Sequence, residues 1–319
     1  MRSHRSLASL GLAIAALLSL LLFASVPGQG LWYRALINAT HGPIFAIVAV
    51  LVLLMHAPAA RTNSAAYVAA FFVAVGLGVL IEVLQSAAGR PGSAFDVLTD
   101  AAGAAAGLAL WATYVKRGTG GSLERSSARA WWLLAVALAG IVFIAWPPLQ
   151  AARAYARRAA DFPTIAAFRG PSDLVFVSTN GAEVQIVDLP APWSRHRGER
   201  ALRLGYDAQH WPAVQVAEPS PDWRGYSVVA VDITNPAATE LHLVLRIFDA
   251  THDWTHEDRL NLPLVIAPRA RTTVRVALAE VEAAPAQRRM DLARIADVML
   301  YGEPAAEPGV LYVSRVWLE

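Results

Sequence analysis

Along the first half of the chain, apolar residues run in blocks too long for the one-sided stripe of a soluble helix. Five blocks, at residues 7–26, 31–55, 65–85, 94–115 and 130–146, have the length and low polarity of membrane spans. From residue 171 onward the period changes. "LVFVS", "AEVQIVDL", "ALRLGYD", "YSVVAVDIT", "LHLVLRIFD", "TTVRVAL", "ADVMLY" and "LYVSRVWL" are short and rich in Val, Leu and Ile, and several alternate apolar with polar positions. Pro, Gly, Asn and Asp separate them, as turns separate half-buried strands. The pattern predicts a helical transmembrane bundle over residues 1–149. An arginine-studded linker helix, drawn from "LQAARAYARRAADF" (149–162), is assigned to 150–170, and an all-β antiparallel sandwich of jelly-roll type occupies 171–319.

Charge sharpens the division. Residues 1–150 carry nine Arg or Lys and four Asp or Glu, whereas the remainder carries eighteen and twenty-one. The first half therefore suits lipid and the second suits water. With no cysteine, disulfides and thiolate metal sites are excluded. A net charge of +2 and the absence of a basic patch interleaved with aromatics give no footprint for nucleic acid. The first span follows "MRSHR" and precedes "LFASVPGQG", a poor small-x-small cleavage site, so it reads as an uncleaved signal anchor. With the N-terminus inside, Arg2, Arg5, Arg61, Lys116, Arg117, Arg125 and Arg129 are cytoplasmic, and only Arg34 and Arg90 lie in outer loops. This positive-inside bias points the second half outward, to the periplasm or cell exterior.

The candidate chemistry sits where the polar pattern interrupts the spans. Ser93, Asp96, Asp100, Gly103 and Gly107 recur at three- and four-residue steps, one face of a helix, and Gly78, Glu82 and Gln85 do the same on the preceding span. The short link between them predicts an antiparallel hairpin with facing polar stripes. Gly103 and Gly107 form a small-xxx-small patch for close helix packing. Ionisable groups within spans cost about 2.5–3.5 kcal/mol each near mid-bilayer and are commonly functional. His41, Glu82, Gln85, Arg90, Ser93, Asp96 and Asp100 are thus expected near one outward opening. They would serve as a polar headgroup site, an ion site or an acid/base centre, or else as a network that only locks the hairpin.

The series His41, Glu82, Gln85, Arg90, Ser93, Asp96 and Gly103 resembles the signature of the VanZ-like family, over roughly residues 30–115. Two positions depart from it: Asp100 stands where the family usually has Asn, and "INATH" where it usually has an Asp-Lys pair before the His. The resemblance implies an outer-face membrane protein of the bacterial envelope, in a family named for a protein linked to teicoplanin resistance. It implies no reaction.

In the second half, "WRGYSVVAVDITNP", "LHLVLRIFDATHDWTHEDRLN" and "RRMDLARIADVMLY" resemble the galactose-binding-like sandwiches related to carbohydrate-binding modules. Stacking platforms for sugar rings are then expected among His210, Trp211, Trp223, Tyr226 and Trp254. "HDWTHED" places His252, Asp253, His256 and Asp258 together, enough for a structural Ca²⁺ on loop carboxylates but short of a transition-metal set. The adjacent pair Glu257-Asp258 points apart on a strand and is a poor glycosidase pair, and no G-x-S-x-G, H-E-x-x-H or P-loop is present. The reading that follows is a multi-pass inner-membrane protein recognising or acting on an envelope glycan or lipid-linked precursor. Its rivals are a membrane-embedded acid/base enzyme built on Glu82, Asp96 and His41, and a non-catalytic anchor for a glycan-binding or scaffold module.

Overall fold

The computed structural model describes residues 4–23, 30–56, 63–89, 92–118, 127–180, 182–207, 212–220, 222–302 and 308–319. The chain divides into two compact units between Ala152 and Arg153.

The first unit contains five helices long and apolar enough to cross a membrane. These are α1 (His4–Phe23), α2 (Leu31–Met55), α3 (Ser64–Ala87), α4 (Ala94–Gly118) and α5 (Ser127–Asp161). The span expected to stop at residue 146 continues through Pro147 and Pro148 into the stretch read as a separate linker helix, making one helix. Prolines inside a helix are tolerated more often in membrane spans than in water-soluble helices. Inside the bundle, Phe45, Val48, Ala49 and Leu53 of α2 pack on Ala70 and Ala74 of α3 and on Ala104 and Leu108 of α4. Outside it, Leu12, Phe72, Val83 and Leu138 are exposed, with Trp131 and Trp132 near the start of α5. An apolar exterior of that extent is stable against lipid, not water.

Helices α2 and α4 run parallel, and glycine sets their separation. A Cβ on Gly103 would overlap the Gly42 carbonyl, and one on Gly107 would lie 2.5 Å from the Ala46 carbonyl oxygen. Gly140 of α5 lies equally close to α4, 2.7 Å from the Ala102 oxygen by the same measure. The Gly103/Gly107 patch thus packs helices as its spacing suggests, and the neighbour it admits is α2.

The second unit is an antiparallel sandwich. Its strands are β1 (Thr164–Ala166), β2 (Val177–Thr179), β3 (Glu183–Asp188), β4 (Arg200–Tyr206), β5 (Ala213–Ala217), β6 (Val228–Asn235), β7 (Leu241–Asp249), β8 (Leu260–Ile266), β9 (Ala270–Ala277), β10 (Ile295–Gly302) and β11 (Gly309–Leu318), with a short α6 (Leu278–Ala283) after β9. One sheet has the order β3-β4-β11-β6-β9, with β1 added on β11, and the other has β2-β5-β10-β7-β8. Their inner faces close over Phe168, Leu202, Trp223, Ile233, Leu245, Ile247 and Met290.

Three strands escape the sequence pattern. Strand β8 contains Pro263, tolerable because β8 is an edge, while β1 and β5 are too short to show a period. "LVFVS" is mostly a 3-10 turn over Pro171–Phe176, with pairing only from Val177. The 150–170 stretch is not a free linker from Arg153 onward: β1 pairs with β11, and the Arg158 guanidinium donates to the carbonyls of Ala217 and Glu218.

The glycine contacts give a paired test. Gly103→Val should reduce folded yield and lower the midpoint of thermal unfolding in detergent, because the Gly42 backbone cannot retreat. Gly76→Ala, with no atom within 4 Å of the new methyl, should leave both unchanged within about 0.5 kcal/mol.

Candidate functional site

In the helical unit, close packing of α2, α3 and α4 gathers four ionisable side chains. His41 follows Leu31, the first residue of α2, by ten positions, so it lies about 15 Å along the helix. Its Nδ1 is 3.1 Å from Asp100 Oδ1, and both residues are buried. With the carboxylate accepting, the ring N–H donates from Nδ1. Gly78 of α3 leaves the room that Asp100 fills, since a Cβ there would stand 2.6 Å from Asp100 Oδ2. Glu82 is also buried, and its Oε2 accepts from the Ser93 backbone N–H at 2.7 Å. Ser93 in turn caps α4, its hydroxyl accepting from the Asp96 N–H. One ligating atom each of His41, Glu82 and Asp96 lies within 4.8 Å of the others. Three carboxylate oxygens, Glu82 Oε1, Asp96 Oδ1 and Asp100 Oδ2, are buried without a hydrogen-bond partner.

The stripe thus delivers His41, Glu82, Ser93, Asp96 and Asp100 to one place. Gln85 does not join them. Its amide donates to the Leu21 carbonyl of α1, at 3.2 Å. Arg90 lies outside the described residues.

The second candidate is the outer face of the sheet β2-β5-β10-β7-β8. Alternation turns Val214, Val216, Val298, Leu300, Leu245 and Ile247 into the core and their neighbours outward. Cross-strand register then aligns Ser178, Gln215, Met299, Arg246 and Asn261 in one row spanning all five strands. Asp297 and Phe248 occupy the next row on one side, and Tyr301 and Val244 the next on the other. Ser178 Oγ donates to Gln215 Oε1 at 3.0 Å, and the Gln215 amide donates to Asp297 Oδ2. The Arg246 guanidinium lies 4.5 Å from the centre of the Tyr301 ring. Four buried polar atoms on or beside this face have no partner: Arg246 Nε, Arg259 Nε, Asn261 Oδ1 and Asp297 Oδ1.

Electrostatics on this face are unbalanced. Burial, and then repulsion from Arg246, lowers the Arg259 guanidinium from its ordinary value. Glu257 partly offsets this at Arg259, while Asp297, on the same face, is pushed up to about 7 by burial, against the opposing pull of Gln215 and Arg246.

Of the predicted aromatic platforms among the described residues, Trp254 alone is presented. It is 72 % exposed, on the β7–β8 loop with φ 70°, beside His252 and Phe248 at 5.4 and 5.9 Å between ring centres. Trp223 is fully buried, its indole N–H donating to the Pro219 carbonyl, so it anchors the core instead of meeting a ligand. Tyr226 packs edge-on against Phe162, partly buried at the core margin. His210 and Trp211 lie outside the described residues.

Of the loop carboxylates considered for Ca²⁺, Asp258 is bound to Arg288 and Asp253 is not. Arg288 donates to Asp258 at 2.5 and 2.9 Å and to Asp249 at 2.6 and 2.9 Å. Asp258 Oδ2 also accepts from the Asp253 N–H, and Asp253 Oδ1 accepts from Thr255. Held chiefly by Arg288, the Asp258 carboxyl is lowered to about 2. His256 lends only its carbonyl, to the Asn261 amide. The loop that carries Trp254 is therefore fastened by a guanidinium.

No protein-family profile matches the chain, and no curated protein matches it. Among solved structures, a family 11 carbohydrate-binding module from Clostridium thermocellum, in complex with a β-1,3-1,4-mixed-linked tetrasaccharide, is 13 % identical. It covers 49 % of this chain and 93 % of its own, with a TM-score of 0.35. A module named TmCBM61, in complex with β-1,4-galactotriose, is 13 % identical over 45 % of this chain and 86 % of its own, at 0.31. An exo-β-agarase is 12 % identical over 45 % of this chain, which spans about a quarter of the agarase (23 %), at 0.35. Scores this low say nothing of ligand or activity here.

The raised Asp297 carboxyl has a measurable consequence. Because its folded value lies above that of the unfolded chain, its stabilising contribution is complete below about pH 4 and is lost as pH rises through 7. Asp297→Asn should therefore flatten the decline in stability between pH 4 and 7. At pH 8 it should gain up to about 4 kcal/mol, the equivalent of three pH units. Guanidinium unfolding of the full chain in detergent, followed by near-ultraviolet circular dichroism, checks both.

Proposed function

We propose that this protein is a bilayer-anchored receptor for an acidic saccharide of the bacterial envelope, bound on the outer face of the five-stranded sheet. The observation that carries the reading is the row Ser178-Gln215-Met299-Arg246-Asn261 with its flanking Tyr301 and Asp297. It combines aromatic surface with buried donors and acceptors that have no partner among the described residues. A hydroxyl-rich ligand supplies both partners at once, its apolar ring faces meeting Tyr301 and its hydroxyls meeting the amides and guanidiniums. Arg246 and Arg259 give the site an excess of positive charge that a carboxylate, sulfate or phosphate on the sugar would relieve. Trp254, exposed at one end on its fastened loop, extends the aromatic surface. The five apolar helices support bilayer anchoring, and the excess of Arg and Lys in the inner loops supports an outward-facing sandwich.

A finer reading, that the protein engages a lipid-linked envelope precursor and contributes to glycopeptide resistance as its VanZ-like resemblance implies, draws support from the helical cluster. His41, Glu82, Ser93 and Asp96, separated by up to fifty-five positions in the sequence, lie together there with orphaned buried oxygens. The same cluster favours the rival reading of a membrane-embedded acid/base centre.

The test is a panel of neutral and acidic oligosaccharides offered to the full chain in detergent. Acidic members should bind, with affinity falling as salt rises. Arg246→Gln should weaken binding at least tenfold, in line with about 1.5–3 kcal/mol for a hydrogen bond to a charged group. Trp254→Ala should weaken it less. Binding that is indifferent to Arg246, or confined to neutral sugars, would sink the acidic-saccharide reading.

A further inference from the structure

From the helical cluster we infer that His41, Glu82 and Asp96 form a binding site for a divalent first-row transition cation, with Asp100 as the positioning residue behind the imidazole. The inference is independent of what the sandwich binds.

The geometry comes first. The three residues each bring a ligating atom within 4.8 Å of the others, so a single ion can touch all three. They come from three helices, α2, α3 and α4, whose spacing is fixed by Gly42, Gly78, Gly103 and Gly107. Thus the site is built by the packing and not by one flexible loop. His41 Nδ1 is engaged with Asp100, which leaves Nε2 as the nitrogen for a ligand. A ligating imidazole whose second nitrogen donates to a carboxylate has its tautomer and ring orientation set, and its basicity raised.

Burial supplies the second observation. Glu82 is only 7 % exposed; its Oε2 is satisfied by the Ser93 N–H, yet Oε1 has no partner. Asp96 Oδ1 is in the same state. A network that existed only to lock helices would pair these oxygens, because an unsatisfied buried polar group costs about 1–3 kcal/mol and a charged one more. Among the described residues no Lys or Arg side chain bonds to any of the three acids. A divalent cation would supply the charge complement that these described residues lack.

The donor set selects its class. One imidazole and two carboxylates suit Zn²⁺, Mn²⁺ or Fe²⁺, whereas Ca²⁺ and Mg²⁺ prefer oxygen alone. Three protein ligands also leave at least one position for water or an anionic oxygen, as in sites where zinc is not merely structural. The comparable grouping in the sandwich, His252, Asp253 and Asp258, lacks this character because Arg288 already neutralises Asp258.

The test uses the full chain in detergent, purified without a histidine tag, stripped with chelator and titrated with Zn²⁺ alone. Close to one ion per chain should be retained after desalting. Co²⁺ in its place should give the intense visible bands of a four- or five-coordinate site. Glu82→Gln and Asp96→Asn should each lower Zn²⁺ affinity at least tenfold. Asp100→Asn should lower it about 10–100-fold while keeping the Co²⁺ band positions, since the ligands themselves remain. His252→Gln in the sandwich should change nothing. Circular dichroism and gel filtration establish that each variant is folded, and the Co²⁺ spectrum of the unaltered chain does not depend on any variant. Failure to retain Zn²⁺, a pale six-coordinate Co²⁺ spectrum, or equal retention by the folded Glu82→Gln and Asp96→Asn variants would overturn the inference.

Discussion

A carboxylate sealed inside a helical bundle must find its partner on a neighbouring helix, and Asp100, held by the His41 imidazole at 3.1 Å, is the clearest case. It is fully buried, and its position makes sense only because three backbones come close enough to enclose it beside His41. Gly78 opens the space, while the contacts of Gly103 with Gly42 and of Gly107 with Ala46 draw α4 onto α2. Remove that approach and the imidazole and carboxylate separate, leaving each exposed to lipid at a cost of several kcal/mol. Helix packing and the polar cluster are therefore one feature seen from two sides.

Much of this was legible in the sequence, since the three- and four-residue steps of Ser93, Asp96, Asp100, Gly103 and Gly107 can be read without knowing any contact. What spacing could not reveal is which neighbour each residue meets. Gln85 shares a helical stripe with Glu82, yet it turns to the Leu21 carbonyl of α1, because a stripe fixes an angle around one helix and leaves the identity of the facing helix open. Likewise, the stop expected at Trp146-Pro147-Pro148 follows the general rule for proline. In the structure α5 carries on to Asp161.

In the sandwich the strand pattern was readable and the proposed ligand face was not. Aromatic residues in loops draw attention in a sequence, but Trp223 is core and Tyr226 leans on Phe162. The outward row is assembled from five strands spread between Ser178 and Met299, none with a local motif, and it exists only through cross-strand register. Two of those strands, β5 and β8, were hidden by shortness and by Pro263. No inspection of a single segment could have placed Gln215 beside Asp297.

The same register sets a ruler. Neighbouring strands lie about 4.8 Å apart, so a row crossing five of them extends roughly 19 Å from Ser178 to Asn261. A linear molecule laid along it would meet a fresh side chain at each strand, and its grip would accumulate in steps with length until the last strand is reached. Extension beyond that point adds nothing on the sheet itself. If the proposed site is the binding face, a surface graded in this way would distinguish polymers from their fragments by counting, with no need to recognise an end.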